Sequence, residues 1–173
     1  KVDEMVGEWV DLKEIATKLA PTPVPDSNLS LLTLLLHSDP ITRASCLLVE
    51  FPPGWKRNSG IYSCVEHAVV LQGSVILDGT SWSTGQGFVV PAGALRTETF
   101  SPQGAIAVAW FGDAPRWTSA EVGSDSPSGL AWSGDQDGTM HDEVDIYGWR
   151  WRQVGEPDIQ LDPGTINYQW PSP

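Results

Sequence analysis

Between Leu29 and Gly112 the chain is a series of short apolar runs, and each one is stopped by Gly, Pro, Ser or Asn. "LSLLTLLLH" (Leu29 to His37), "ASCLLVEF" (Ala44 to Phe51), "IYSCVEHAVVLQ" (Ile61 to Gln72), "SVILDG" (Ser74 to Gly79), "GFVVPAG" (Gly87 to Gly93) and "AIAVAWFG" (Ala105 to Gly112) all read as strands. The breaks between them carry turn chemistry. Many short strands with such turns have one economical solution, a sandwich or barrel. Gln72-Gly73 reads as a tight turn between two of the strands.

The flanks differ from this middle. "DLKEIATKL", Asp11 to Leu19, places Leu12, Ile15, Ala16 and Leu19 at helical spacing, with Asp11 as cap and Glu14 completing a capping box. "APTPVPD", Ala20 to Asp26, is an extended, stiff connector. From Asp113 to Pro173 there are 11 Asp or Glu and 3 Lys or Arg, against 4 and 3 between Cys46 and Gly112. The tail therefore reads as an acidic extension. Within it "GSDSPSG" and "SGDQDG" are loops, and "EVDIYGWRWRQV" (Glu143 to Val154) alternates as a strand with Trp149 and Trp151 on one face. "LDPGTINYQW" reads as a turn and another short strand. The chain is divided as a single domain: residues 1–26 helix and connector, 27–112 strand core, 113–173 extension packing on that core.

Net charge of −12 argues against nucleic acid and anionic membrane surfaces, both of which need basic patches. No run approaches the roughly 18 apolar residues of a membrane span, and no leader-like segment is seen. Cys46 and Cys64 sit in apolar runs, which predicts two buried thiols in a reducing compartment and a cytoplasmic protein. Nine Trp suit a core or an aromatic ligand pocket.

Glu66 and His67 stand together in an otherwise apolar run, and buried ionisable groups are costly unless compensated. Strand alternation puts Tyr62, Cys64, Glu66, Ala68 and Val70 on one face, and Ile61, Ser63, Val65, His67, Val69 and Leu71 on the other. His67 then reads as a structural histidine. The second face is apolar too, so it needs a cover: the N-terminal segment, the acidic tail, or the second subunit of a homodimer. His37 lacks ligand-like spacing to the other histidines. "HDE", His141 to Glu143, reads as a solvated turn.

The order of these motifs resembles the cupin superfamily, small double-sheet jelly rolls with a ligand site inside the barrel. Glu66 precedes Gly73 by seven positions, as in the first cupin motif. Gly85, Pro91, Ala92 and Gly93 match the second, and "VEFPPGW" (Val49 to Trp55) resembles the lead-in of the ChrR-like branch. The resemblance covers roughly Pro21 to Gly112. It implies an all-β, cupin-like barrel with a short N-terminal helix, and a metal held by three histidines and a glutamate. The chain departs from that metal set. Where the His-x-His pair belongs stands "NSGIY", Asn58 to Tyr62, and where the last histidine belongs stands Arg96. A guanidinium is a permanent cation that pairs with carboxylates rather than ligating a metal.

The resemblance thus implies that Glu66 and Arg96 meet inside the barrel as an ion pair, with no metal and no other cofactor. The expected function is a metal-independent enzyme acting on a small, aromatic or polyketide-like molecule by acid–base chemistry: isomerisation, cyclisation or elimination. Glu66, Arg96 and Tyr62 are the expected catalytic residues; Trp55, Trp82, Glu98 and Trp110 are expected around the substrate. A metal-dependent cupin dioxygenase or isomerase with unusual ligands, a non-catalytic small-molecule binder, and a structural dimer module are the alternatives.

Overall fold

The computed structural model describes residues 10–121, 123, 131–132, 144–146, 149–153 and 159–162, with side chains for 11–121 and 123. In chain order the elements are β1 (Val10–Asp11), α1 (Leu12–Ala16), β2 (Ala20–Thr22), β3 (Leu31–Ser38), β4 (Ser45–Phe51), β5 (Trp55–Arg57) and β6 (Gly60–Tyr62). The long β7 (Glu66–Leu77) follows, then β8 (Thr80–Ser83), β9 (Gly87–Val90), β10 (Leu95–Arg96), β11 (Thr99–Ser101), β12 (Ala105–Phe111) and β13 (Trp117–Ser119). The acidic tail supplies β14 (Ala131–Trp132), β15 (Val144–Ile146), β16 (Trp149–Gln153) and β17 (Ile159–Asp162).

The all-β reading holds. The main antiparallel sheet runs β14-β9-β7-β12-β4-β3-β2, while β10-β6-β13 forms a smaller one. β8, β11 and β5 branch off the main sheet through β7, at the point where the sequence reading placed a turn. No hairpin forms at Gln72-Gly73. β7 runs through it for 12 residues, pairing with β9 and β12 before Gly73 and with β8 and β11 after it. Gly73 has φ +76°, and a Cβ on it would lie 2.2 Å from the Gly104 carbonyl oxygen. Only glycine lets the strand bend that closely past its neighbour. The actual hairpin follows at Asp78-Gly79, where both residues have positive φ, as a two-residue turn requires.

The run Ile61–Gln72 also divides, into β6 and β7, around Ser63 to Val65. Ser63 leaves the ladder to pair with Arg116: its amide donates to the Arg116 carbonyl and its Oγ accepts from the Arg116 amide, both at 3.0 Å.

Two apolar clusters lie on opposite sides of the main sheet. The inner one gathers Val49, Trp55, Cys64, Ala68, Val70, Phe88 and Phe111. The outer one gathers Leu36, Cys46, Leu48, Leu71, Val108 and Trp110, and α1 presses Leu12 and Ile15 onto it. Of the covers considered, the N-terminal segment therefore sits on this face, and α1 also contacts β17. The helix is shorter than the spacing predicts. It ends at Ala16, and 3₁₀-type bonds from Lys18 and Leu19 carry the chain into Ala20, which precedes Pro21 and is biased away from helical angles. No capping box forms, since Asp11 makes no side-chain capping bond.

The barrel also draws on residues either side of 27–112. β2 pairs with β3, and β13 pairs with β6. In the tail, the run read as one strand at Glu143–Val154 is two: β15 pairs with β16, Ile146 opposite Trp149, and β16 continues to β17 and β1. The side chains of Trp149 and Trp151, the "HDE" turn and the strand expected after Leu161–Asp162 lie outside the described residues. Both cysteines are free thiols, buried as expected. Among the described residues no helix is long and apolar enough to cross a membrane.

Candidate functional site

A cavity of about 220 Å³ opens on the inner cluster. Most of its wall is aliphatic or aromatic, supplied by inward residues of β3, β4, β7, β9 and β12. The pairing register explains which residues face it. In an antiparallel pair, residues directly opposite share a face. Glu66 opposes Phe111 and Ala68 opposes Ala109, and all four line the cavity. His67 opposes Trp110, and both turn outward, where their rings meet edge to face at 5.2 Å. Burial lowers the His67 pKa, with Glu66 pulling weakly the other way. His67 belongs to the outer packing.

Against the apolar wall stands one polar group of side chains. Arg96, on β10, donates from Nη1 to Oε1 of Glu66, and both side chains are nearly buried, 8% and 12% exposed. β10 is placed by β6: Leu95 pairs with Ile61 and Arg96 with Gly60. Arg96 thus turns inward, and the two positions implied by the resemblance do converge. Tyr62 lies beside them, its ring centroid 4.6 Å from the Arg96 Cζ. Desolvation raises the Tyr62 pKa, so its phenol stays protonated at neutral pH.

A second arginine completes the group, and the sequence reading did not single it out. Arg57 is 5% exposed. It donates from Nε to the Pro25 carbonyl at 3.0 Å and from Nη1 to the Tyr62 hydroxyl at 2.7 Å. Its guanidinium stacks on the Trp117 ring, 3.5 Å from the centroid. Trp117, also missed, is laid against Gly60, where a Cβ would come within 2.1 Å of the indole. Alternation in "WKR" would have shown Arg57, since Trp55 and Arg57 face in while Lys56 faces solvent.

Of the residues expected to contact substrate, Trp55 lines the cavity, its Nε1 donating to the Leu29 carbonyl at 3.0 Å. Three others do not. Trp110 is on the outer face for the register reason given. Trp82 is buried in the inner cluster beside Phe88, ring centroids 5.7 Å apart, and Phe88 rather than Trp82 lines the cavity. Glu98 pairs with Lys56 at 3.2 Å on the surface, both side chains about half exposed. The strand that would have kept Glu98 on the Arg96 face stops at Arg96, and β11 begins only at Thr99.

The residues around Glu66 do not fit the metal that the fold resemblance implies. Among the described residues no group of three or more His, Cys, Asp or Glu converges, and the partner of Glu66 is a cation that cannot ligate.

No protein-family model matches the sequence, and no curated protein matches it. Solved structures do. An acetylacetone dioxygenase from Acinetobacter johnsonii superposes with TM-score 0.54 at 19% identity, over 68% of this chain and 80% of that one. A cupin-like protein from Thermotoga maritima gives 0.50 at 11% identity, over 58% and 85%. The polyketide cyclase RemF from Streptomyces resistomycificus gives 0.51 at 14% identity, over 64% and 85%. The fold is that of the cupins.

Proposed function

We propose that the chain is a cupin-fold enzyme that moves a proton on a small, aromatic or polyketide-like carbonyl compound without a metal. The observation that carries this reading is the buried Glu66–Arg96 pair on the wall of an apolar cavity. Arg96 engages Oε1 of Glu66, leaving Oε2 to take a proton from a carbon acid. The electron pair of the broken C–H bond then moves onto the carbonyl oxygen, where the Arg96 guanidinium or the Tyr62 hydroxyl offsets the new charge. Return of the proton from Glu66 to a second carbon gives an isomer. Attack of the carbanion on a second carbonyl gives a ring, and departure of a β-substituent gives elimination. The protein's part is to position the carbon acid, exclude water and hold the proton.

That solved structures of this fold include a dioxygenase of a 1,3-diketone and a polyketide cyclase supports the choice of substrate class. The test is solvent exchange. Benzoylacetone and a panel of one-ring 1,3-dicarbonyl compounds are incubated with chelator-treated protein in D₂O, and the loss of the C–H signal is followed by proton NMR. Exchange above the buffer rate that vanishes in Glu66→Gln is the expected result. Exchange that persists in Glu66→Gln, or no exchange across the panel, overturns the proposal.

A further inference from the structure

Three charged side chains line the cavity among the described residues, Arg57, Glu66 and Arg96. Two cations face one anion. Asp26, whose charge acts on Arg57, sits outside, exposed and bonded to Trp117 and Ser119. A buried net positive charge is costly without an anion to meet it.

The donors tell the same story. Arg57 uses Nε and Nη1, but among the described residues its Nη2 is buried without a hydrogen-bond partner. Arg96 uses Nη1, but its Nε and Nη2 are likewise buried and unpartnered. Charged donors left this way are rare in folded proteins and ask for an acceptor. Both guanidiniums flank one ring, with Cζ atoms 5.1 Å (Arg57) and 4.6 Å (Arg96) from the Tyr62 centroid, so the three orphan donors share one neighbourhood. Tyr62 adds to it. Its oxygen already accepts from Arg57, which leaves its own O–H to donate.

We infer that the cavity binds a one-ring monocarboxylate, its carboxylate held by Arg57 together with Arg96 and its ring on the apolar wall of Val49, Val75, Phe88 and Phe111. This rests on the same cavity being the ligand site proposed above, and names its substrate class. A single excess positive charge matches a carboxylate rather than a phosphate dianion, and a guanidinium fork fits two carboxylate oxygens. Size sets the other limit. A dry cavity of roughly 150 Å³ takes benzene, and this one, at about 220 Å³, has room for a ring and a few more heavy atoms.

The experiment is a calorimetric titration of the full chain with phenylacetate and with the isosteric, neutral phenylacetamide. Phenylacetate is expected to bind about tenfold or more tighter, the ratio that one charge-assisted bond supplies. Arg57→Gln should erase that preference. Arg57→Lys, which keeps the charge and loses the fork, should keep part of it. Glu66→Gln should hold phenylacetate at least as tightly as the unmodified chain. Equal affinities for the two ligands, or no binding of either at millimolar concentration, overturn the inference even if the Arg57 variants fail to fold. Anion-selective binding with no proton exchange would sink the catalytic reading and leave this one standing. Exchange on neutral diketones with no preference for carboxylate would do the reverse.

Discussion

Trp117 donates from Nε1 to Oδ2 of Asp26 at 2.8 Å, tying the strand after the core to the connector before it. Ser119 donates to the same oxygen. These two bonds, Ser119 first, hold the Asp26 carboxyl below its ordinary 3.8, and Arg57 adds to the effect. A carboxyl depressed in the folded state binds fewer protons there than in the unfolded chain. Its contribution is therefore whole above pH 3.8 and is lost as pH falls through the folded value. Asp26→Asn should flatten the fall of melting temperature in that acid window relative to the unmodified chain. Parallel slopes would show that the bond contributes nothing.

The Glu66–Arg96 pair is expected to behave as a buried pair does. Glu66→Leu or Arg96→Met alone should cost about 3–5 kcal/mol, because each strands one charge. The double variant should recover most of that. Urea titrations of the four proteins give the coupling, and additive losses would mean that the pair does not interact.

Gly73 and Gly79 share a φ of +76°, but only Gly73 has a backbone within van der Waals reach of an added Cβ. Gly79→Ala should cost about 1–2 kcal/mol, the left-handed penalty alone. Gly73→Ala must also push the Gly104 backbone away, and should cost clearly more or prevent folding. Equal losses by denaturant titration would remove the close approach as a constraint.

Because Glu66 is paired with the Arg96 cation and no group of three or more His, Cys, Asp or Glu converges among the described residues, no transition metal is expected to bind stoichiometrically. Elemental analysis after dialysis should find well under one Fe, Zn, Mn, Ni or Cu per chain. Chelator should leave the melting temperature and any proton exchange unchanged.

Ile15 is fully buried against the outer face of the sheet. Ile15→Ala should cost about 2–5 kcal/mol. We propose a homodimer as well, to be checked by light scattering on both proteins. If α1 alone covers the face, the unmodified chain runs as a monomer and the variant self-associates.

The grouping of the β7 residues by face was legible because alternation is a local property, and the resemblance said which face is the inward one. Glu66, Ala68 and Val70 follow from it directly. Trp110 shows where that kind of reading ends. Its own strand is apolar on both faces, so only the pairing of Trp110 with His67 across two strands assigns it outward. Arg57 was readable from the alternation of Trp55, Lys56 and Arg57, whereas Trp117 opens a strand of three residues with no apolar alternation to carry a period. Gly73 was recognised as special, but a glycine at positive φ reads alike in a hairpin and in a strand that bends between sheets. What separates them is Gly104, 31 positions away.

Trp117 is also the last described part of the cavity wall to be synthesised. A nascent chain holds β7, Arg57 and Arg96 well before residue 117 leaves the ribosome, and the Asp26 bond that fixes the indole cannot form until then. A chain cut at Gly112, the end of the strand core, would therefore keep Arg57 but lose the indole it stacks on.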